Sequence, residues 1–407
     1  MSVPKESFTG YLRADGRKGI RNTVLVAYLV ECAHHVARAI TTAAADSAVQ
    51  LVGFPGCYPN SHGYRMLERL ATHPNVGGVL LVSLGCEGFN REKLGEAIRA
   101  SGRPVETLVI QQAGGTRPTI RAGVEALGRI RAEAGRAARA TMDLSELVVG
   151  TICGGSDGTS GITANPAVGL CFDKLVAAGA TCIFEETGEL IGCEPLMASR
   201  AVTRELGAEI ERTVAKAEDY YSTLGYGSYA PGNSEGGLTT QEEKSLGAYL
   251  KSGHAPISGI IRPGELPQSR GLFLMDVVPD GEVRFGFPNI SDNTEIIELI
   301  ASGCHLVLFT TGRGSVVGSV VSPVIKICAN PDTYERMSGD MDINAGRILR
   351  DEAKLADVGE EIFDAVMAVS GGAPSVSEEL GHQEFLLTYK YFEASGPACQ
   401  PVASRRR

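Results

Sequence analysis

Residues 23–30 (TVLVAYLV) form a short apolar run rich in β-branched residues, and residues 32–45 directly after it have helical composition. A run of this kind is typical of a buried strand, and the order strand then helix is repeated along the chain. Parallel strands need helical crossovers, which cover both faces of the sheet. The sequence therefore predicts an α/β fold, with a Rossmann-like, largely parallel sheet followed by a second α/β unit.

The predicted elements of the first unit alternate between strand and helix. Its strands are predicted at residues 23–30, 48–53, 76–84, 104–110, 147–152 and 181–184, and its helices at 32–45, 63–72, 91–100, 116–140, 165–178 and 197–224. The second unit has predicted strands at 271–277, 305–310 and 324–328, and predicted helices at 240–251, 294–302 and 354–370. We accordingly predict domains at 1–225 and 226–395, the second carrying the TTGRG and DMDINAG loops, and a tail at 396–407.

Composition excludes several classes of function. The 407 residues contain 38 Lys and Arg against 48 Asp and Glu, a formal net charge of −10, so no basic face for nucleic acid is expected. No run of about 18 uncharged apolar residues is present, and the first residues lack an apolar secretory signal. We predict a cytoplasmic protein whose 10 cysteines are thiols, metal ligands or catalytic groups rather than disulfides.

Polar and glycine-rich loops follow five of the predicted strands. Ligands bind beyond the carboxyl ends of strands in open α/β sheets, so these loops are the candidate site. The five loops are Gly53–Cys57, 85–88 (GCEG), 153–161 (CGGSDGTSG), 185–189 (EETGE) and 310–315 (TTGRGS).

Three cysteines, Cys57, Cys86 and Cys153, each follow a predicted strand and lie beside glycine. Three converging thiolates could hold a soft metal or an iron–sulfur cluster with one open iron position. The alternative is that they are small buried apolar residues, which we favour for the other seven cysteines.

The stretch 153–166 (CGGSDGTSGITANP) combines glycines with hydroxyl and amide groups before a predicted helix. Such a loop can bind an anion at the helix N-terminus, and the lack of GKS or GKT favours a small carboxylate over a phosphate. The alternative is a turn that caps the helix. Arg313 can bind a carboxylate in bidentate fashion or form a structural ion pair. Residues 15–22 suit a loop over an anion, although alone they would be a solvated turn.

Eight motifs, in the same order, make the chain resemble the altronate/galactarate dehydratase family from about residue 10 to residue 384. They are GYLRADGRKGIRN, PGC, LVSLGCE, CGGSDGTSGITANPAVG, EETGELIGCE, PGNSEGGLTTQEEKSLGA, FTTGRGSVVG and DMDINAG. The resemblance implies a lyase that removes water from a polyhydroxy carboxylic acid to give a 2-keto-3-deoxy acid. It also implies a requirement for Fe²⁺ or another divalent metal. A sister branch, similar to sulfolactate sulfo-lyase, expels sulfite instead.

The resemblance is incomplete at the N-terminus. Full-length members of the family begin with a small SAF domain, whereas this chain begins at their second domain, so we expect a separate small SAF-domain subunit. The sequences Asn233-Ser234-Glu235 and Tyr58-Pro59-Asn60 also depart from the family pattern. These departures leave the identity of the hydroxy acid open.

The implied chemistry is β-elimination, in which a base removes the proton α to the carboxylate and the β-hydroxyl leaves. The acid/base candidates are Asp157, Glu186 and Lys244, and the metal candidates are Cys57, Cys86 and Cys153. The predicted substrate-binding residues are Arg21 and Asn22 as lid contacts, with Ser156, Thr159, Ser160, Asn165, Thr311 and Arg313.

Three other functions compete with the dehydratase. One is a C–S lyase acting on a sulfonated hydroxy acid, and another is a non-catalytic large subunit that scaffolds the small SAF partner. A nucleotide-dependent oxidoreductase is disfavoured, because no GxGxxG follows the first predicted strand. A homo-oligomer is expected for an enzyme of this type.

Overall fold

A computed structural model describes residues 7–225, 231–281, 291–387 and 389–390. The predicted loop at 225–237 is described in part, and the predicted tail at 396–407 lies outside the described residues. No helix within the described ranges is long and apolar enough to cross a membrane.

The strands are short, and most begin and end within one or two residues of their predicted positions. They are β1 (Ser7–Leu12), β2 (Lys18–Gly19), β3 (Thr23–Tyr28), β4 (Val49–Gly53), β5 (Val76–Ser83), β6 (Val105–Val109), β7 (Arg139–Asp143), β8 (Val148–Cys153), β9 (Thr181–Phe184), β10 (Ile257–Ile261), β11 (Gly271–Met275), β12 (Leu306–Thr311), β13 (Val324–Cys328) and β14 (Ile343–Asn344).

The helices lie between the strands, as the alternating pattern predicts. They are α1 (His34–Ala44), α2 (Ser61–Ala71), α3 (Arg91–Ala100), α4 (Ile110–Ala113), α5 (Thr116–Ala134), α6 (Ala164–Ala177), α7 (Glu194–Ser199), α8 (Arg204–Leu224), α9 (Pro231–Glu235), α10 (Gln241–Leu250), α11 (Asp292–Ala301), α12 (Pro331–Met337), α13 (Leu355–Ser370) and α14 (Val376–Leu380). Several contain buried apolar faces, such as Val358, Ile362 and Val366 of α13.

Two parallel sheets confirm the predicted α/β class. One has four strands in the order β4-β3-β5-β6, and the other has seven in the order β10-β11-β9-β8-β12-β13-β14. All pairs in both sheets are parallel. Central strands such as β5 and β12 are continuously buried, because helices cover both faces. The change of sheet falls between Val109 and Val148, earlier in the chain than the domain boundary predicted at residue 225.

A small antiparallel sheet, β2-β1-β7, was not predicted. Arg139 and Ala140 lie in β7, where they pair with Tyr11 and Gly10 of β1, so the helix predicted at 116–140 is wrong beyond Ala134. The Arg- and Ala-rich composition favours helix locally, but long-range pairing with β1 decides the conformation of residues 139–143. The helix predicted at 197–224 is likewise two helices, α7 and α8.

The two parallel sheets are joined at the amino-terminal ends of their strands by a buried hydrogen-bond network. Asn75, just before β5, donates to the His305 carbonyl at 3.0 Å and accepts from the Ile20 N–H at 2.9 Å. His305 Nδ1 accepts from the Val148 N–H at 3.0 Å, so Nε2 carries the hydrogen and donates to the Lys18 carbonyl at 2.9 Å. This network leaves the opposite, carboxyl-terminal edge of the seven-stranded sheet for a ligand site.

Candidate active site

The candidate site lies at the carboxyl ends of β8, β9 and β12, which are neighbours in the seven-stranded sheet. From β8 the chain extends the sheet first on the β9 side and later on the β12 side, so the direction of winding reverses there. Ligands of open α/β sheets bind at such a reversal. The loops predicted at 153–161, 185–189 and 310–315 therefore meet at one edge, as expected.

A thiol and two carboxyl groups form the centre of the site. Cys153 Sγ lies 3.2 Å from Glu186 Oε1 and 3.4 Å from Glu189 Oε2. Among the described residues, these three side chains are the one group of His, Cys, Asp or Glu whose ligand atoms lie within 4.8 Å of one another. Sulfur with carboxylate oxygens is a donor set that suits a divalent transition metal.

Two buried lysines face this group from α10 and its C-terminal end. Lys244 Nζ donates to Cys153 Sγ and to Ser156 Oγ, both at 3.2 Å, and also to the Glu189 carboxylate. Lys251 donates to the Glu186 carboxylate. The two lysines are seven residues apart, close to two helical turns, so both lie on the helix face that covers the site. Each glutamate of the central group thus has a lysine partner.

The charge of Lys244 is fixed by its surroundings. Burial by itself would lower the pKa of the Lys244 ammonium, but the neighbouring Cys153 and Glu189 outweigh that effect and raise it above its ordinary value. The Lys244 side chain is 3% exposed, so its positive charge lies in a site largely shielded from water. Lys244 is therefore a cation at neutral pH.

Glu186 has a backbone conformation that is unusual for a residue with a side chain. Its φ is +83°, in the left-handed region, and it is the second residue after the end of β9. Strain of this kind persists where the surrounding structure fixes it, and it is concentrated at functional sites. Here the turn directs the carboxylate to the Cys153 N–H, which donates to Glu186 Oε2 at 3.2 Å.

Asp157 is buried and fully engaged by donors. Its Oδ1 accepts from Thr159 N–H at 2.9 Å and from Thr159 Oγ1 at 2.6 Å, and its Oδ2 accepts from Asn330 Nδ2 at 2.8 Å. Gly312 packs so closely that a Cβ there would lie 2.1 Å from Asp157 Oδ1. These contacts hold the 153–161 loop against the β12 and β13 loops, which is a positioning role.

The remaining predicted residues of these loops either contact the central thiol or hold the loops in place. Ser156 Oγ contacts the central thiol at 3.3 Å, whereas Ser160 Oγ accepts from the Asp157 N–H at 3.0 Å. Asn165 accepts from Thr310 Oγ1 at 2.7 Å and donates to the Gly247 carbonyl at 2.9 Å, which ties α6 to β12 and α10. Thr311 closes its own loop by accepting from Gly314 N–H at 3.0 Å.

Arg313 lies at the rim of the site, with 40% of its side chain exposed. Its Nη2 lies 3.4 Å from Glu235 Oε2, a loose surface contact that leaves donors of the guanidinium accessible. The Arg313 backbone N–H donates to the Gly155 carbonyl at 2.8 Å, so the residue is anchored beside the 153–161 loop. The geometry is compatible with binding a carboxylate that enters the site.

Arg21 and Asn22 are not brought to this site. Arg21 forms a bidentate ion pair with Glu378 at 2.7 and 2.8 Å and donates to the Val369 carbonyl at 2.9 Å. Asn22 donates to the Ala134 carbonyl at 3.0 Å. Both residues come shortly after Lys18, whose carbonyl is hydrogen-bonded to His305 at the amino-terminal ends of the strands. Arg21 and Asn22 therefore lie at the amino-terminal edge of the sheet. In this structure they join elements, and no lid contact with the Cys153 group is formed.

Cys57 and Cys86 are also separated from Cys153. They follow β4 and β5 of the four-stranded sheet and are exposed, whereas Cys153 is buried at the end of β8 in the other sheet. The Gly88 N–H donates to the Cys57 carbonyl at 2.7 Å, so their two loops are adjacent. Among the described residues, the sulfurs of Cys57 and Cys86 form no ligand group with Cys153.

Two residues at the site, one in the central group and one beside it, were missed by the sequence prediction. Glu189 lies in the EETGE loop that was singled out, and Lys251 follows Lys244 by seven residues in a stretch predicted to be helical. The periodicity places Lys251 on the face of Lys244, so the spacing was an available signal. Glu189 had no such signal, because a single-turn 3₁₀ helix at Thr187–Leu190 directs it inward.

Comparison with protein families gives two matches that together span most of the chain. The model of the C-terminal part of D-galactarate and altronate dehydratases matches residues 144–393. The model of the second domain of D-galactarate dehydratase and altronate hydrolase matches residues 10–135. The boundary between the two matches falls where the chain changes sheet.

Individual relatives have different reactions. The chain is 34% identical to (2R)-sulfolactate sulfo-lyase subunit beta of Chromohalobacter salexigens, over 97% of this chain and 100% of that one. It is 30% identical to altronate dehydratase of Bacillus subtilis, over 91% of this chain and 75% of that enzyme. It is 34% identical to galactarate dehydratase (L-threo-forming) of Escherichia coli, over 76% of this chain and 59% of that enzyme.

Proposed function

Since the chain belongs to the D-galactarate/altronate dehydratase family and is therefore a lyase, we propose that it removes water from a sugar acid or a related hydroxy carboxylic acid. The product would be a 2-keto-3-deoxy acid. The observation that carries the proposal is the buried Cys153–Glu186–Glu189 group with Lys244 against it. An elimination needs a base, a proton donor and an electrophile in a shielded site; Lys244 would supply the proton donor and a metal held by the Cys153 group would supply the electrophile.

The donor set of the site fits a divalent metal. Cys153, Glu186 and Glu189 would hold it, and we propose Fe²⁺ or another divalent metal rather than an iron–sulfur cluster, because one cysteine cannot replace the several thiolates that a cluster needs. A bound metal would supply Lewis-acid stabilisation of negative charge on the substrate. In this proposal Glu186 serves as a ligand instead of the predicted acid or base.

Lys244 is the proposed proton donor. In the elimination a base takes up the Cα proton, the electron pair of the Cα–H bond becomes the Cα–Cβ double bond, and the β-hydroxyl leaves as water with a proton from Lys244. The Lys244 ammonium is protonated and is held in place by three partners, which would position its proton for transfer to the leaving hydroxyl. The resulting enol then tautomerises to the keto acid.

The substrate carboxylate is proposed to bind at the rim. Arg313 offers accessible guanidinium donors there, and the hydroxyls of Ser156 and Thr159 lie in the same loop region. Asp157, Ser160, Asn165 and Thr311 support that loop through the hydrogen bonds described above.

A second chain is proposed to complete the enzyme. The name of the sulfo-lyase relative, a subunit beta, supports this proposal, as does the additional length of the dehydratases beyond the part that this chain matches. We expect the partner to be a small SAF-domain protein. A cytoplasmic location and a homo-oligomeric state remain predictions; the nine free cysteines in the described ranges support a reducing compartment.

The test is an assay of the anaerobically purified chain, alone and with a small protein encoded beside its gene, after addition of Fe²⁺. We expect keto-acid release from a hydroxy acid such as altronate or galactarate, with loss of iron and activity in Cys153→Ala. Cys171→Ala is the matched control, since Cys171 is equally buried but lies in α6 away from the group. Iron and turnover that survive in Cys153→Ala would overturn the proposed site.

The same assay tests the two exposed cysteines. Cys57→Ala and Cys86→Ala are expected to keep their iron, because their sulfurs are not in the central group. Loss of iron in either variant would restore the three-cysteine prediction.

A C–S lyase is the second candidate, favoured by the length of one match and by the cations of the site. The chain matches the sulfo-lyase subunit over its whole length, whereas the dehydratases are longer. The site with two buried lysines and a rim arginine also suits a substrate with two anionic groups. Release of sulfite from (2R)-sulfolactate, without keto-acid release from altronate or galactarate, would decide for this candidate.

A further inference from the structure

Helix α11 covers one face of the seven-stranded sheet and begins at the carboxyl end of β8. Positions alternate between faces along a strand, and a Cβ on Gly150 of β8 would lie 3.2 Å from the Leu299 side chain of α11. Gly154 follows β8 in the same alternation, and a Cβ there would overlap with Asp292 Oδ2. The lack of a side chain on Gly154 therefore lets the Asp292 carboxylate lie against the backbone at this strand end.

The Cys153 group lies on the other side of the same strand end. Cys153, one residue before Gly154, accepts from Lys244 of α10 at 3.2 Å. Asp292 does not belong to the group of ligand atoms within 4.8 Å of one another, but it is within electrostatic reach of that group. Burial and then Glu189 raise the pKa of Asp292, and Lys244 lowers it. Asp292 and Lys244 thus approach one strand end from opposite faces.

The Asp292 carboxylate is free to accept a proton. Among the described residues it has no ion pair and no hydrogen bond from another residue, whereas Glu186 and Glu189 each pair with a lysine. The pKa of Asp292 is raised to about 6, so the group is ionised at neutral pH and is a stronger base than an ordinary aspartate. An acid in the first turn also stabilises a helix, but an exposed position would serve that purpose equally well.

We propose that Asp292 is the general base of the elimination, an inference that rests on the proposed lyase function. Asp292 takes up the Cα proton, the electron pair of the Cα–H bond becomes the Cα–Cβ double bond, and the hydroxyl leaves as water with a proton from Lys244. A base and an acid on opposite faces favour an anti elimination, in which the proton and the leaving group depart from opposite sides of the substrate. The same base serves a C–S lyase, where sulfite leaves with the electron pair of the C–S bond.

The experiment compares Asp292→Asn with the wild type on whichever of altronate, galactarate and (2R)-sulfolactate the wild type converts to a keto acid. We expect kcat to fall at least about 100-fold with little change in KM, because the carboxamide keeps the shape of the side chain but takes up no proton. The iron content should not change, since Asp292 is not in the ligand group. Asp276→Asn is the matched control, because Asp276 is buried and also follows a strand of this sheet but pairs with Lys216. Its kcat is expected to stay within a few-fold of the wild type.

Chemical rescue distinguishes a base from a positioning residue. Asp292→Ala leaves a space beside Gly154 in which formate can take up the proton, so added formate is expected to raise its kcat at least about tenfold. Formate should not restore Lys244→Gln, which lacks the acid and keeps the base. Circular dichroism verifies that the variants are folded.

The outcomes separate this inference from the proposed function. A wild type that forms no keto acid from any of the three substrates overturns both. Turnover by the wild type together with a kcat of Asp292→Asn close to that of Asp276→Asn overturns the base and leaves the lyase intact. Loss of iron from Asp292→Asn would make Asp292 a metal ligand, and a folded Asp292→Ala that formate does not activate would make it a positioning residue. Either result also overturns the base.

Discussion

Lys244 combines three contacts that give one side chain a defined chemical state. Its ammonium touches a thiol, a hydroxyl and a carboxylate, and it is shielded from water. A surface lysine with a single partner would readily replace that partner by water, whereas the Lys244 ammonium is held in a fixed position. The residue was a candidate from sequence, but its partners come from two other segments of the chain, the 153–161 loop and the turn after β9.

Replacing Lys244 by Gln is expected to lower kcat at least about 100-fold, because the proton donor and its charge are lost. Lys174→Gln is the control, since Lys174 pairs with Glu360 at the surface. The measurement is the initial rate of product release at saturating substrate, with circular dichroism to verify folding. A kcat for Lys244→Gln within a few-fold of the control would remove Lys244 from the catalytic step.

Arg21, predicted to contact the substrate, instead joins elements of the fold. Its guanidinium binds Glu378 and several backbone carbonyls, so every donor direction is used. Arg21→Gln is expected to lower the free energy of unfolding by about 2–4 kcal/mol, because Glu378 and the carbonyls lose their partner. The KM of the folded variant should change little. Chemical denaturation and KM measured together check this, and a raised KM without loss of stability would support the lid role instead.

At the scale of elements, helix α10 and the turn after β9 build the site together. The helix contributes lysines separated by two turns, and the turn contributes Glu186 and Glu189. Close packing brings the elements into contact: Gly247 of α10 lies against Gly161, where a Cβ on Gly161 would be 2.9 Å from the Gly247 Cα. Two glycines at this crossing let the helix approach the 153–161 loop.

A substitution at the C-terminal cap of helix α1 is expected to stabilise the protein. Ala45, at its C-terminal cap, has φ of +48°, in the left-handed region that glycine adopts without steric cost. Ala45→Gly is therefore expected to raise the free energy of unfolding by about 1 kcal/mol. Thermal and denaturant unfolding measure this increase in the free energy of unfolding.

The reverse substitution at another helix end is the matched control. Gly381 caps α14 with φ of +73°, and a Cβ there would meet no atom within 4 Å. Gly381→Ala should thus destabilise the protein by about 1 kcal/mol through the backbone alone. Equal stability for both variants and the wild type would show that the left-handed caps carry no strain.

At the scale of the whole molecule, the two parallel sheets depend on a neutral histidine at their junction. His305 accepts from one N–H and donates to one carbonyl, an arrangement that only the neutral ring can make. Burial lowers the pKa of His305 to about 4, and burial with the adjacent His305 lowers the pKa of His73 well below its ordinary value. The junction is thus sensitive to acid.

The sign of the pH dependence follows from the direction of these shifts. The unfolded chain takes up a proton near pH 6.5, whereas the folded chain resists it until about pH 4. The contribution of His305 to the free energy of unfolding is therefore fully present above pH 6.5. It is lost as the pH falls toward 4, and it amounts to about 3 kcal/mol. Denaturant unfolding between pH 7 and 5 should show this loss, with a smaller slope in His305→Gln. His35→Gln, at an exposed histidine, should keep the wild-type slope; an unchanged slope in His305→Gln would contradict the assignment.

The sequence by itself determined the fold class and the position of most strands, because apolar runs and helical periodicity are local properties. It also located the loops at strand ends, since polar and glycine-rich segments interrupt those patterns. Residues 153–161, 185–189 and 310–315 were identified in this way. The resemblance to a family of lyases, later confirmed, rested on the same motifs.

Only the tertiary structure decided which of these loops share one edge. Strand β12 lies beside β8 although some 150 residues separate them, whereas β4 and β5 belong to another sheet. That order brought Glu189 and Lys251 to Cys153 and kept Cys57 and Cys86 away. Strand order is set by the burial of whole faces and by long-range pairing, neither of which leaves a local signal in the residues that end up as neighbours.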